Sequence, residues 1–179
     1  MNKENISIAK NTLKFLEKKS FNNIKMQEIL KSYNKTSIKN KYELIVNLNR
    51  FFDYLLKKNL QNLEKSSRKD MIFEVFMARL DILNLYRIQI KKIINYLKSK
   101  PHEFVKIIPS FVETIILMSI QSNMNVNGIK GVANIKAIFV LYLFIIYIWN
   151  KDESENLEKT MTTLDGYLNN LEKFIDLNL

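Results

Sequence analysis

The sequence has no cysteine, one histidine, three glycines and two prolines among its 179 residues. Without cysteine the chain forms no disulfide bond, and it offers no thiolate metal ligand and no cysteine nucleophile. The single histidine, His102, excludes a cluster of histidine ligands. It follows Pro101 among charged residues, and we interpret it as an exposed residue at a helix start. With so few glycines and prolines to form turns, the chain is expected to be mostly helical.

Motifs for catalysis and for phosphate or metal binding are missing as well. Gly128 and Gly131 form a lone Gly-x-x-Gly pair without a preceding strand, which is not a nucleotide-binding loop. The acidic residues at 152–155 lack the spaced ligands and central glycine of a calcium loop, and capping of a helix start explains them with fewer assumptions. We therefore predict a protein that is not an enzyme and that holds no cofactor and no metal.

Apolar residues recur at helical spacing along the chain, and the alternation typical of strands is nowhere sustained. This pattern predicts an all-α fold of about nine helices, with a small head at residues 1–62 and a larger body at residues 63–179. The clearest predicted helices lie at 5–19, 24–33, 40–60, from 66 or 67 onward, at 87–100, at 109–121 and from 152 or 154 onward. Asn5 is expected to cap the first helix, and Pro109 to occupy the first turn of its own helix. Arg79 and Asp81 are expected to flank a buried stripe and point outwards.

Residues 137–149 are thirteen positions without a charge or an amide. A membrane span needs roughly 20 apolar residues, and a surface helix would carry a polar face. We therefore expect this segment to be buried on nearly every side, in a core or in a subunit interface.

The last predicted helix has apolar residues at alternating spacings of four and three, which is a heptad seam. Such a seam predicts helix-on-helix packing, most simply with another subunit. Together with the apolar segment before it, this helix is expected to build a four-helix homodimer interface. The predicted interface residues are Phe144, Ile145, Ile148, Leu157, Met161, Leu164, Leu168 and Leu171.

The net charge of +10 is concentrated in the first part of the chain. Residues 1–70 hold 16 Lys/Arg and 7 Asp/Glu, a net charge of +9, whereas residues 71–179 hold 12 and 11, a net charge of +1. A basic head favours a polyanionic partner. Because 24 of the 28 basic residues are lysine, the codon bias of an A/T-rich genome is an equally good explanation. The candidate contacts to nucleic acid or an anionic surface are Lys25, Lys31, Lys35, Lys39 and Lys41.

Two stretches of the head resemble the DNA-binding domain of the TetR family. IAKNTLKFLEKKSFNNIKMQEIL is similar to the first helix and the first half of that family's helix-turn-helix. Residues 40–45, Asn-Lys-Tyr-Glu-Leu-Ile, are similar to the Ser-Lys-Glu-x-Leu-Leu that opens its fourth helix. The resemblance implies a TetR fold, a homodimer and a body that binds a small molecule.

The body resembles one branch of that family more specifically, the ubiquinone-biosynthesis accessory lipid-binding proteins of mitochondria and related bacteria. The resemblance lies in MIFEVFMARLDILNLYR, in the Gly-x-x-Gly before a Tyr-containing helix, and in YIWNKDESENLEKTMTTLD. The corresponding residues are Tyr142, Trp149, Asp152, Ser154, Thr160, Leu164 and Asp165. The resemblance implies a non-enzymatic protein that binds an apolar lipid or isoprenoid ligand.

The head departs from the TetR pattern between the second and the next long helix. Only residues 34–39 remain there, and a turn and a recognition helix of about two turns hardly fit in six residues. Lysines in this region are able to touch phosphates, but such contacts position a protein on DNA without reading its sequence.

Two interpretations of function follow. The first is a TetR-fold dimer that binds an apolar ligand, with walls formed by Phe76, Met77, Leu80, Ile115, Met118, Phe139 and Tyr142; each of these residues is equally compatible with an ordinary core. The alternative is a TetR-family DNA-binding transcriptional regulator. The start of the sequence, Met1 to Asn5, leads into an amphipathic pattern and not into an apolar stretch. We therefore expect a cytoplasmic protein, and peripheral membrane contact stays open.

Overall fold

The computed structural model describes residues 1–33, 36–64, 66–154 and 156–174. Within these ranges the chain is all-α, as predicted, with eight α-helices and no strand. The helices are α1 (Lys3–Lys18), α2 (Met26–Leu30), α3 (Lys41–Asn59), α4 (Arg68–Leu85), α5 (Arg87–Ser99), α6 (Pro101–Gln121), α7 (Gly128–Lys151) and α8 (Glu158–Phe174). Two short 3₁₀ segments, Phe21–Asn23 and Leu60–Asn62, precede α2 and follow α3.

The chain divides into two compact units that are not contiguous in sequence. Unit 1 comprises Met1–Lys57 and Ile82–Phe111, and unit 2 comprises Lys58–Asp81 and Val112–Leu179. Helices α4 and α6 each contribute residues to both units. The predicted boundary between a head and a body at residue 62 stays a prediction.

Unit 1 begins with a capped, amphipathic α1. Asn2 has an extended backbone, and its side-chain oxygen accepts a hydrogen bond from the Asn5 backbone N–H at 2.8 Å. The cap is therefore Asn2, and the prediction that Asn5 caps this helix was wrong by three residues. Ile8, Leu13 and Leu16 lie on the buried face of α1. This face packs against α2 and α5.

The predicted helix at 24–33 is shorter in the structure, where α2 covers only Met26–Leu30 and a turn follows at residues 31 and 32. Phe21 and Ile24 are both buried, and the backbone is extended at Ile24 and Lys25. These extended residues end the 3₁₀ turn and allow α2 to start only at Met26. Phe21 and Ile24 are both buried in this arrangement, in which the helix starts two residues later than its apolar spacing predicted.

Pro109 lies inside α6 and not in its first turn, so that prediction was wrong. The first position of α6 is held by Pro101, whose missing N–H costs nothing there. Each of the two prolines suits a helix start equally well in the sequence, and only one of them is used in that way. His102 is the second residue of α6 and is exposed, as predicted.

Helix α7 begins at Gly128, so it starts nine residues before the apolar segment at 137–149. Gly131 lies within the helix, and a Cβ atom there would come within 2.2 Å of the Val126 carbonyl carbon. The close approach of the preceding loop therefore requires glycine at this position. Asn134 on the same helix donates a hydrogen bond to the Asn125 backbone carbonyl at 3.1 Å.

Within the single chain, α7 is less buried than predicted. It is the one helix of the described residues that is long and apolar enough to cross a membrane, and 28% of its most apolar window is buried. Ile138, Ile145 and Trp149 lie on the face that is packed, whereas Val140 and Tyr147 are 67% and 54% exposed. Burial of the second face in a subunit interface stays a prediction.

Candidate functional site: a ligand-binding core and a basic head

All seven predicted wall residues lie in unit 2, on α4, α6 and α7. Five of them are buried and two, Met77 and Phe139, are half-buried. The buried residues are Phe76, Leu80, Ile115, Met118 and Tyr142. The rings of Phe76 and Tyr142 meet edge to face with their centroids 6.2 Å apart. The chain therefore brings side chains from three helices into one apolar core.

Arg79 lies in this core, and the prediction that it points outwards was wrong. Its side chain is 1% exposed, and its Nε donates a hydrogen bond to the Tyr142 hydroxyl at 3.4 Å. The error arose because the apolar positions of α4 cover more than half of its circumference, so spacing alone does not place a polar residue on either face. Asp81, two residues later, is exposed as predicted.

Three hydroxyl side chains of α6 and its end are buried in unit 2, namely those of Thr114, Ser119 and Ser122. Ser122 donates to the Met71 carbonyl oxygen at 3.5 Å, a long contact. The Ser119 hydroxyl oxygen is buried without a hydrogen-bond partner among the described residues. The core of unit 2 therefore contains polar groups among mostly apolar side chains.

Asp152 ties the end of α7 to the start of α8. Its carboxylate accepts hydrogen bonds from the backbone N–H and the hydroxyl of Thr160 at 2.8 and 2.6 Å. It also accepts from the backbone N–H and the hydroxyl of Ser154 at 3.0 and 2.5 Å. Burial alone would raise the pKa of Asp152, but these four hydrogen bonds outweigh it and lower the pKa to about 2. Asp152 therefore caps α8 through its side chain, although α8 itself starts at Glu158.

Among the five lysines predicted to contact polyanions, Lys41 has a role inside unit 1. Its ammonium group donates to the carbonyl oxygens of Phe21 and Asn22 at 3.1 and 2.7 Å and lies 5.8 Å from the centroids of the Phe21 and Tyr96 rings. Burial and the charge of Lys100 lower the pKa of Lys41, and Glu103 opposes this shift. Lys25, Lys31 and Lys39 are exposed, and Lys35 lies outside the described residues.

The part of the chain between α2 and α3 contains no recognition helix within its described residues. Residues 31–33 form a turn, and residues 36–40 have irregular backbone. Ile38 is buried, and the Lys39 backbone N–H is bound by the Glu43 carboxylate at 2.5 Å.

A basic face that the sequence reasoning did not single out runs along α1. Lys3, Lys10, Lys14 and Lys18 share the exposed side of this helix, which also carries Glu17. The exposed side of α4 carries carboxylates instead, from Asp70, Glu74 and Asp81. The helical spacing of the lysines at intervals of seven, four and four would have revealed this face.

The predicted dimer-interface residues divide into three groups. Four of them, Ile145, Leu157, Leu164 and Leu168, are buried within the chain itself, where α7 packs against α8. Phe144 and Ile148 are half-buried, and Met161 is 39% exposed. The side chain of Leu171 lies outside the described part of the structure. The heptad spacing of the seam is therefore used largely for packing inside the chain.

The outward side of α7 carries an apolar surface of its own. Val140, Phe144 and Tyr147 recur at helical spacing, and the Phe144 ring contacts the Tyr167 ring of α8 with centroids 4.7 Å apart. Tyr167 is 45% exposed. We call these four residues the outer α7 face.

The architecture is similar to that of a known regulator. A crystal structure of the TetR transcriptional regulator from Nitrosomonas europaea matches with a TM-score of 0.72 and 16% sequence identity, over 94% of this chain and 97% of that chain. The chain has a TetR-like fold. No protein-family model matches the sequence, and no curated protein matches it either.

The TetR-like fold was predicted from the sequence and is confirmed. At this level of identity the likeness shows the fold alone. The narrower resemblance to the ubiquinone-biosynthesis accessory branch therefore stays a prediction.

Proposed function

We propose that this TetR-like protein is not an enzyme and that it binds an apolar small molecule of lipid or isoprenoid type in the core of unit 2. One observation carries the proposal: the described residues between α2 and α3 contain no helix that would read DNA. A TetR-like chain whose described residues lack that element retains the body as its candidate functional part. A role as an accessory factor in ubiquinone biosynthesis is included in the proposal and rests on the sequence resemblance.

The composition of the core supports this function. Phe76, Met118 and Tyr142 belong to residue types that form adaptable apolar linings, because methionine is flexible and aromatic rings are large. Half-buried Met77 and Phe139 lie on α4 and α7 of the same unit. A ligand would replace contacts between these side chains with contacts to itself.

Mild purification followed by lipid extraction and mass spectrometry tests the proposal. We expect one apolar compound in near-stoichiometric amount with the wild-type protein. Met77→Trp, which adds bulk at a half-buried wall position, should lower the occupancy. Ile88→Trp, at a position on α5 that is 67% exposed, should not change it. Repeated recovery of empty protein, together with no thermal stabilisation by added isoprenoid quinones, would exclude this function.

A TetR-type DNA-binding regulator is the second candidate, and the basic face of α1 favours it. The structural neighbour is described as a transcriptional regulator. This function requires tighter binding to the protein's own upstream DNA than to a scrambled duplex, with affinity falling steeply as salt rises. Lys10→Glu with Lys14→Glu should weaken the binding. Equal affinity for both duplexes would exclude a sequence-specific regulator, and sedimentation with anionic vesicles would identify peripheral membrane binding instead.

We also propose that the protein is a homodimer in which the outer α7 face meets its counterpart. In this proposal the interface consists of side chains that are accessible in the single chain. The predicted seam residues that are buried within the chain are no longer part of it. An exposed apolar face of this kind marks a surface that binds another molecule. We take that molecule to be a second copy of the chain, because the face adjoins the packing of α7 against α8.

A further inference from the structure

We propose that one surface of unit 1, formed by the outward sides of α1 and α5, binds an anionic lipid bilayer. We call it the α1–α5 surface. It consists of Lys10, Lys14 and Lys18 of α1, Lys91 and Lys98 of α5, and the apolar residues Leu85 and Ile88 at the start of α5. The proposal goes beyond ligand binding in unit 2 and does not depend on it.

The fold concentrates positive charge more strongly than the order of the sequence does. Unit 1, residues 1–57 and 82–111, holds 18 Lys/Arg and 6 Asp/Glu, a net charge of +12. Unit 2, residues 58–81 and 112–179, holds 10 and 12, a net charge of −2. Folding therefore joins the lysines of α5 to those of the first three helices. A charge of this size favours a polyanionic partner for unit 1.

Contacts between α1 and α5 show how these two helices lie. The Lys92 ammonium group of α5 donates to the carbonyl oxygens of Leu16 and Glu17, near the end of α1, at 2.6 and 3.2 Å. About one turn further along the chain, the Tyr96 ring meets the Phe21 ring with centroids 4.7 Å apart. The two helices therefore run side by side in the same direction. Their outward sides adjoin and form one surface.

Lysine predominates over acidic residues on this surface. Four of its five lysines are exposed, and Lys91 is half-buried. Glu17 is the exposed carboxylate on the same side of α1, and residues 87–100 hold no Asp or Glu. Each lysine close to an anionic bilayer raises the affinity about fivefold. Several lysines on adjoining helices therefore suffice for binding that depends on lipid charge.

Two exposed aliphatic side chains favour a bilayer over a nucleic acid as the partner. Leu85, the last residue of α4, is 77% exposed, and Ile88 is 67% exposed. Ile88 precedes Lys92 by about one helical turn, which places it beside the middle of α1. A bilayer interface accepts aliphatic side chains next to lysines, whereas the phosphate groups of a nucleic acid contact the charged groups alone.

Cosedimentation of the full chain with phosphatidylcholine vesicles, with or without about 30% phosphatidylserine, tests the proposal at about 100 mM salt. We expect binding to the anionic vesicles and at least about tenfold weaker binding to the neutral ones. Lys14→Glu with Lys91→Glu should lower affinity for the anionic vesicles about 20-fold or more. Lys130→Glu with Lys159→Glu makes the same charge change at exposed lysines of unit 2 and should lower it less than about threefold.

A second variant separates a bilayer from other polyanions. Leu85→Ser with Ile88→Ser should lower affinity for the anionic vesicles about tenfold, because two aliphatic side chains no longer insert. It should leave affinity for a DNA duplex unchanged. Circular dichroism checks that each variant is folded, as expected for substitutions at accessible positions.

The outcomes decide the proposal without touching the lipid extraction that tests unit 2. Equal binding to neutral and anionic vesicles, or binding to neither, would overturn it. A loss in the glutamate variant of unit 1 without a loss in the serine variant would identify a general polyanion surface, with nucleic acid as its partner, and also overturn it. Equal losses in the glutamate variants of both units would show an effect of net charge alone and remove the α1–α5 surface as the binding site.

Discussion

At the scale of single residues, Asp152 illustrates how one side chain organises a junction. Four hydrogen bonds converge on its carboxylate, and two of them come from the first turn of α8. The negative charge of the Asp152 carboxylate also lies at the N-terminus of α8, where the helix dipole stabilises it. The short connection from α7 to α8 includes Leu157 with a positive φ of 56°. Leu157 lies between Ser154 and Thr160, the two residues that Asp152 hydrogen-bonds, and its backbone conformation is uncommon for a residue with a side chain.

Asp152→Asn should lower the free energy of unfolding by about 2 kcal/mol, because the amide group presents donors to Ser154 or Thr160 in place of an acceptor. For a chain of this size, that corresponds to a fall in Tm of roughly 4–8 °C. Urea denaturation at pH 6 measures the difference. Glu153→Gln, at the exposed neighbouring carboxylate, is the control and should have no effect.

The stability difference between wild type and Asp152→Asn should also depend on pH. The pKa of Asp152 is about 2 in the folded protein and 3.8 ordinarily, so its stabilisation is present above the ordinary value and is lost as pH falls through the folded value. The difference in unfolding free energy between wild type and Asp152→Asn should therefore shrink to about half near pH 3. A difference that stays constant between pH 6 and pH 3 would show that the ionised carboxylate is not the stabilising species.

Lys41 is a second residue whose structural role is testable. Lys41→Met keeps the aliphatic stem and removes the two hydrogen bonds to the Phe21 and Asn22 carbonyl groups. We expect a loss of about 1–2 kcal/mol of stability by chemical denaturation. Lys39→Met, at an exposed lysine two residues earlier, should change stability by less than about 0.5 kcal/mol. Equal and negligible effects would indicate that Lys41 serves external partners only.

At the scale of elements, glycine has opposite consequences in α7 and α8. Gly131 faces the Val126 backbone at distances where no Cβ atom fits, whereas no atom lies within 4 Å of the Cβ position at Gly166. A backbone neighbour moves less easily than the end of a flexible side chain. The loop before α7 is therefore held close to the helix only because residue 131 has no side chain.

Gly131→Ala should destabilise the protein by about 2 kcal/mol or more, because the loop must move away from α7. Gly166→Ala should stabilise it by about 0.5–1 kcal/mol, because alanine loses less conformational entropy in a helix. Thermal melting of the two variants beside the wild type measures both signs. Equal stabilisation in the two variants would contradict the close approach at Val126.

At the scale of the whole molecule, the proposed homodimer is tested at the outer α7 face. Val140→Glu combined with Tyr147→Glu should convert a dimer into a folded monomer, since neither side chain is buried within the chain. Sedimentation velocity measures the mass, and circular dichroism checks the fold. Ile88→Glu, an equally exposed position in unit 1, is the control and should remain dimeric.

The choice of position matters for this experiment. Ile145 is fully buried inside the chain, so a charge there would unfold the protein and reveal nothing about assembly. A dimer that persists in the Val140 and Tyr147 double variant would place the interface elsewhere.

Much of this organisation was predictable because it depends on neighbours in sequence. The scarcity of glycine and proline and the 3.6-residue periodicity predicted an all-α chain, which the described residues confirm. That a recognition helix does not fit in residues 34–39 stays a prediction, with irregular backbone at the described residues 36–39 in agreement. Each of these conclusions needs only the local chain, because helix formation and loop length are properties of consecutive residues.

Other features were decided only by the tertiary structure. Periodicity predicts that Leu164 and Leu168 share a face, but it does not distinguish packing inside the chain from packing against a second copy. It does not place Arg79 in the core, because the apolar positions of α4 surround it, and it does not choose between Pro101 and Pro109 as a helix start. The sequence by itself determined that the chain is helical and which residues share a helix face. The tertiary structure decided which faces are buried, because burial depends on contacts between residues far apart in the chain.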